Sequence, residues 1–249
     1  VPGEVVLLTG AGSGLGRALA LALSAGGRHV VITGRRAGHL AATADACVGP
    51  GAGEVVAVVG DITRPEVPAE LVQAAQDRFG RLDAVINNAA VARFGDLAAG
   101  PPTVFEQLLQ TNLVGPTRLI AAAVPALRDS QGSVVNIGSV GGLLALPGRA
   151  LYGASKASLH HLTRSLAREL APDIRVNAVV PGAIDTEMYD DLGLDAGQTA
   201  ELREQLVATT PLGRMGTVDD VVPWVELLLG PAGHWVTGAL LVVDGGRSC

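Results

Sequence analysis

The chain has 249 residues, 48% of them apolar, and carries 18 basic and 24 acidic side chains for a net charge of −6. With no basic block this balance argues against a nucleic-acid partner, and no apolar run approaches the roughly 18–20 residues of a membrane-spanning helix. The apolar excess suits a parallel sheet covered on both faces, whose strands read as continuous Val/Ile/Leu runs.

Strand and helix patterns alternate from end to end. Residues 4–9 read as a strand, and a glycine-rich turn leads into a helix over 15–24. Strand 29–33, helix 38–47, strand 54–59, helix 65–79 and strand 82–87 follow. A long helical pattern covers 102–128, then strand 133–137, a second long helix over 149–170, and strand 174–180. Residues 183–216 are polar and irregular, with a helical patch near 200–207. A helix over 217–229 and a strand over 239–243 complete the chain. Repeated β-α units predict a doubly wound parallel α/β sheet with right-handed crossovers. No linker or repeat divides it, so residues 1–249 read as one domain, and the weakly periodic segment 183–216 reads as a lid over a site. Cys47 and Cys249 have neither metal-ligand spacing nor the number for a disulfide framework, and no metal site is expected. A strand pattern starting at once leaves no room for a signal segment, so a cytoplasmic setting is expected.

The first turn reads Thr9-Gly10-Ala11-Gly12-Ser13-Gly14-Leu15-Gly16. Glycines let the backbone turn sharply and approach a pyrophosphate, whose charge meets the helix N-terminus. An acidic residue ending the second strand would bond an adenosine ribose and exclude a 2′-phosphate. That strand instead runs into Arg35-Arg36, whose guanidiniums can grip a phosphate bidentately. NADP(H) is therefore the expected cofactor, with NAD(H) as the alternative. Asp61-Ile62 follows the third strand, where the carboxylate either receives the adenine amino group or caps a turn. Asn87-Asn88-Ala89-Ala90 ends the fourth strand, where side-chain amides bridge strand ends or bond a ribose.

Tyr152 and Lys156 stand four residues apart in a helical pattern and so share a face. A free phenol has a pKa of about 10 and is a poor proton carrier at neutral pH, but an adjacent ammonium favours the phenolate. The pair can serve as a general acid or base for carbonyl–alcohol interconversion. Ser139 closes the fifth strand, where open α/β sheets place their crevice. In the first long helix Pro116 has no N–H, so the carbonyl of Asn112 loses its partner and can hold a water. His160 and His161 read as helix surface or interface, Ser155 as a helix-interior serine, and Trp224, Trp235 and Met188 as core or pocket lining.

In these motifs and their order the chain resembles the short-chain dehydrogenase/reductase family over nearly its whole length. The glycine turn fits that family's T-G-x-x-x-G-x-G pattern. The resemblance implies a Rossmann-type sheet of seven strands flanked by helices on both faces. It also implies a catalytic tetrad of Asn112, Ser139, Tyr152 and Lys156. For the cofactor it implies contacts from Gly10, Ser13, Gly14, Leu15, Gly16, Arg35, Asp61, Ile62, Asn88, Tyr152, Lys156, Ile184 and Thr186, with Lys156 on the nicotinamide ribose. A basic residue at Arg35 marks NADP preference in that family. Ser13 departs from the basic residue that many NADP-dependent members carry in the glycine turn, and Ala90 departs from the family's N-N-A-G. The implied activity is transfer of a hydride between nicotinamide and a ketone, 3-oxoacyl compound or secondary alcohol. The alternatives are an NAD-dependent secondary-alcohol dehydrogenase and, more remotely, a non-catalytic cofactor sensor. In the family the two long helices form a four-helix dimer interface, so a homotetramer, or a homodimer, is expected. Substrate choice is assigned to residues 91–98, 140–149 and 183–216, and an uncharged or amphipathic carbonyl compound is expected.

Overall fold

The computed structural model describes residues 2–95, 97 and 102–249. Asp96 and Ala98, within the expected substrate segment 91–98, lie outside the described residues. Seven strands, β1 (Val5–Thr9), β2 (His29–Gly34), β3 (Val55–Val59), β4 (Ala84–Asn87), β5 (Ser133–Ile137), β6 (Arg175–Pro181) and β7 (Leu240–Val243), form one sheet in the order β3-β2-β1-β4-β5-β6-β7. Every pairing is parallel. The chain winds outward from β1 to β3 and then returns to β4 on the other side of β1. That reversal opens a crevice beyond the C-terminal ends of β1 and β4.

The strands alternate between two cores. Val5 and Leu7 of β1 pack with Leu71, Val72, Leu119, Ile120 and Ala167 on one face. Those partners come from α3 (Val67–Phe79), α5 (Gly115–Ser130) and α6 (Ala150–Glu169). Val6 and Leu8 pack with Leu19, Leu23, Leu40, Val221 and Val225 on the other. These lie on α1 (Gly14–Ala25), α2 (Ala37–Ala46) and α8 (Val218–Leu229). Burial on both sides is why the five central strands read as unbroken apolar runs rather than alternating ones, while the edge strands β3 and β7 stay partly exposed. No helix among the described residues is long and apolar enough to cross a membrane.

The single helix expected over 102–128 is divided. It comprises α4 (Pro102–Leu109), a wide π turn at Gln110–Val114, and α5. The N–H of Gly115 reaches back five residues to the carbonyl of Gln110. Pro116 offers no N–H, so the regular ladder cannot continue through this point. Gly115 also packs so closely that an added Cβ would stand 3.0 Å from the carbonyl oxygen of Ile62.

The segment 183–216 is more ordered than its weak periodicity suggests. It holds a 3-10 turn at Glu187–Asp191 and the helix α7 (Ala196–Ala208). A reciprocal capping box between Asp195 and Gln198 starts α7 about a turn before the expected patch. Leu192, Leu202 and Leu206 are buried against Ala92, Leu108 and Tyr152, which seats the segment over the crevice. The tryptophans correct an expectation: Trp235 is fully exposed and Trp224 is 41% exposed, so neither packs a core.

Candidate active site

A cavity of about 450 Å³ opens at the crevice. Its floor is the glycine turn. Gly10 has φ +69°, and a Cβ there would lie 2.8 Å from the Cα of Ala89. A Cβ on Gly16 would lie 2.1 Å from the carbonyl oxygen of Gly10. Only glycine satisfies both positions. The Thr9 hydroxyl accepts from the N–H groups of Asn88 and Ala89, both at 3.0 Å. The Asn88 side-chain amide donates to the carbonyls of Thr9 and Gly10 at 3.0 and 3.1 Å. Asn88 thus spends its amide holding the turn in place.

Helix α1 starts at Gly14, with Ser13 as a cap that makes no side-chain cap bond and with no acidic residue in the first turn. Such a start offers unpaired N–H groups and a partial positive charge to an anion. Arg35 and Arg36 line the same end of the cavity, and Arg36 donates from Nη2 to the Ser13 hydroxyl at 3.0 Å. The Asp61 carboxylate accepts from the Thr63 N–H at 3.0 Å and the Thr63 hydroxyl at 2.7 Å. Burial pushes Asp61 up, but the Thr63 bonds and the charges of Arg35 and Arg64 outweigh that and leave it below its usual value.

At the other end stand Ser139, Tyr152 and Lys156. Ser139 follows β5 and accepts the N–H of Gly141 at 3.1 Å. A Cβ on Gly141 would lie 3.1 Å from the Tyr152 ring, so this glycine makes room for the phenol. Lys156, one turn beyond Tyr152 on α6, is 3% exposed and donates to the carbonyl of Ile137 at 2.9 Å. Burial pulls Lys156 down to about 8. Burial also raises Tyr152, opposed by a hydrogen bond with Ser139 and the charge of Arg149. The downward shift expected for this phenol is therefore not what the surrounding side chains produce. The ring is enclosed, and enclosure disfavours the anion more than its neighbours favour it.

The cavity gathers Gly10, Ser13, Gly14, Leu15, Gly16, Arg35, Asp61, Ile62, Asn88, Ser139, Tyr152, Lys156, Ile184 and Thr186. Asn112 is not on its wall. It is 1% exposed and locked behind Val91, accepting that residue's N–H and donating to its carbonyl, both at 2.9 Å. It also donates to the Ser155 hydroxyl at 3.0 Å, which donates to the carbonyl of Tyr152 at 2.7 Å. Ser155, read only as a helix-interior serine, thus joins the π turn to the first turn of α6.

His160 corrects a second expectation, being buried rather than on the surface. Its Nε2 accepts the N–H of Ser139 at 3.4 Å, and Gly138 and Gly142 leave the space it fills. Burial, with the charges of Lys156 and Arg164, holds it near 4, so it is a neutral acceptor. The signal was in the spacing: Tyr152, Lys156, His160 and Thr163 recur every three or four residues and share one helical face. Arg149 and Arg247 also line the cavity without having been singled out.

Two glycines that no other residue can replace, an anion-ready helix start and a pair of arginines fit a dinucleotide carrying phosphates. The phenol, hydroxyl and ammonium at the far end fit a reacting carbonyl. Fold and site together define a nicotinamide-dependent oxidoreductase acting on CH–OH or carbonyl groups. The chain belongs to the short-chain dehydrogenase/reductase family. A family model described as enoyl-(acyl carrier protein) reductase matches residues 10–248. An oxidoreductase of Mycobacterium tuberculosis is 37% identical, covering 98% of this chain and 91% of its own. A 3-oxoacyl-[acyl-carrier-protein] reductase of Synechocystis is 33% identical, covering 98% and 96%. The solved structure of levodione reductase superposes with a TM-score of 0.93 at 31% identity, covering 99% of this chain and 98% of that one.

Proposed function

We propose that this chain is an NADPH-dependent reductase of a ketone or 3-oxoacyl compound, with Tyr152 as proton donor. The observation that carries the reading is the common cavity: Ser139, Tyr152 and Lys156 line it at one end, and the glycine turn with Arg35 and Arg36 lines it at the other. The absence of a carboxylate at the end of β2 and the Arg36–Ser13 contact support a 2′-phosphate there. When bound, the cofactor supplies a hydride to the carbonyl carbon.

The chain's own groups handle the oxygen. The Ser139 hydroxyl and the Tyr152 phenol each donate a hydrogen bond to the carbonyl oxygen and stabilise the charge that develops there. Tyr152 then gives up its proton, completing the alcohol and leaving a phenolate. Burial raises Tyr152, so the phenol carries its proton at neutral pH, and the Ser139 bond works against that rise in favour of the phenolate. Lys156, mostly protonated below about 8, stabilises the phenolate once it forms. Asn112, through Ser155, and His160, through the Ser139 backbone, hold the acid and the hydroxyl in register. Residues 183–216 act as the lid, and the helices over 102–128 and 149–170 form the contact of a homotetramer working in the cytoplasm; a monomer by light scattering would reject the tetramer.

The test is Tyr152→Phe. Turnover of a ketone panel with NADPH is expected to fall by roughly 10²–10⁴-fold while NADPH binding persists. Full turnover by the variant would end this reading.

A further inference from the structure

The cavity wall holds two cations that the proposed chemistry does not use. Arg149, three residues before Tyr152, is half-buried at the start of α6. Among the described residues no carboxylate pairs with it. Its guanidinium carbon sits 4.8 Å from the centre of the Phe94 ring, and the other side of that contact chain is Tyr152, edge-on to Phe94 at 5.7 Å. One aromatic ring therefore separates the guanidinium from the phenol. Arg247 lines the same wall, and its Nη1 donates to the Thr209 hydroxyl and the Leu206 carbonyl rather than to an acid.

None of the three carboxylates on the described cavity wall is paired with Arg149: Asp61 is held by Thr63 at the arginine end. Asp191 pairs with Arg93 at 2.9 Å. Glu187 lies at the opposite end, beside Gly14. The charges that bear on Arg149 are Arg247, which repels it, and the two phenols Tyr152 and Tyr189, which are neutral at pH 7 because burial raises both, Tyr189 to about 12. Burial and Arg247 together push Arg149 below its ordinary value. A half-buried cation on the same cavity wall as a second cation, with no carboxylate partner among the described residues, is a poor structural device, since burying unpaired charge is costly. It becomes favourable when an anion enters the cavity they line.

We propose that Arg149, backed by Arg247, is an anion-recognition site in the substrate pocket, so that the preferred substrates are carbonyl compounds bearing a carboxylate, sulfonate or phosphate a few bonds from the reacting carbon. This rests on the reading of Tyr152 as the proton donor and narrows its substrate class. It also replaces the uncharged substrate expected from the sequence. Phe94 supplies the flat apolar wall between the two polar ends, against which a short carbon spacer packs.

The experiment compares 4-oxopentanoate with its methyl ester, using NADPH, on wild type, Arg149→Gln, Arg149→Lys and Arg247→Gln. In parallel, calorimetry titrates dicarboxylates from malonate to adipate, which cannot be reduced, into the cofactor-loaded protein. Wild type is expected to favour the acid over the ester. In Arg149→Gln the acid-to-ester ratio of kcat/KM should fall by roughly 10–100-fold, mainly through KM, as for loss of a charge-assisted bond. Lysine should restore part of it, and dicarboxylate binding should weaken in step. Should Arg149→Gln fail to fold, Arg247→Gln carries the same comparison with a smaller effect. An ester reduced as well as the acid, with ratios unmoved by the variants and no dicarboxylate bound, overturns the anion site and leaves the reductase reading standing. Dicarboxylate bound in an Arg149-dependent way, with neither ketone reduced, upholds the anion site and counts against Tyr152 as a carbonyl acid.

Discussion

The side chain of Asn112 reaches Ser155 on a different helix, donating to its hydroxyl at 3.0 Å, and both residues are buried. Ser155 relays that contact to the carbonyl of Tyr152. Removing either residue strands a buried polar partner, at roughly 1–3 kcal/mol for each group left unpaired. Asn112→Leu strands the Val91 N–H and carbonyl as well as Ser155, so it should destabilise more than Ser155→Ala. Urea unfolding with an unchanged slope measures both. Equal stability of wild type and both variants would show that the relay holds nothing.

Arg35 and Arg36 stand at the end of β2 beside Ser13. If they recognise a 2′-phosphate, Arg35→Asp should lower kcat/KM for NADPH by roughly 10–100-fold, the scale of a lost charge-assisted hydrogen bond. NADH, which lacks that phosphate, should change far less, so the cofactor ratio moves toward NADH. A parallel fall for both cofactors would place Arg35 in folding rather than in discrimination.

Lys156 is held near 8, below the ordinary 10.5. Between those values the unfolded chain binds the proton that the folded chain has released, so stability gains with rising pH across about 8 to 10.5. The difference in unfolding free energy between wild type and Lys156→Met should climb through that window. A flat difference would mean that the ammonium is not desolvated.

His160 has the same sign in a lower window. It is held near 4 against an ordinary 6.5, so the unfolded chain takes up a proton that the folded chain refuses. Stability should fall as pH drops from about 6.5 toward 4. His160→Gln, which keeps an acceptor for the Ser139 N–H, should remove that share of the acid sensitivity. The check is the urea midpoint of both proteins at pH 4.5, 5.5 and 7.

Much of this was legible in the chain because local patterns carry it. The glycine turn showed at Gly10 and Gly16 because a positive φ and a close backbone approach admit no other residue. The strands showed because Val, Leu and Ile fill both faces of each one, and Tyr152 with Lys156 showed because a helix turns once in four residues. The boundaries of α7 and the π turn did not. The first depends on a capping box, and the second on Gly115 meeting Ile62 across 53 positions of chain.

By itself, then, the sequence determined the order of the strands and helices, the glycine turn and the spacing of the phenol and ammonium, since each is a matter of neighbours along the backbone. Only the tertiary structure decided that Asn112 stands behind the cavity and that His160 lies under Ser139. It alone raised the phenol of Tyr152 by enclosure and brought Arg149 and Arg247 to one cavity. These depend on burial and on charges brought together from distant positions, and desolvation has no value until the fold removes the water.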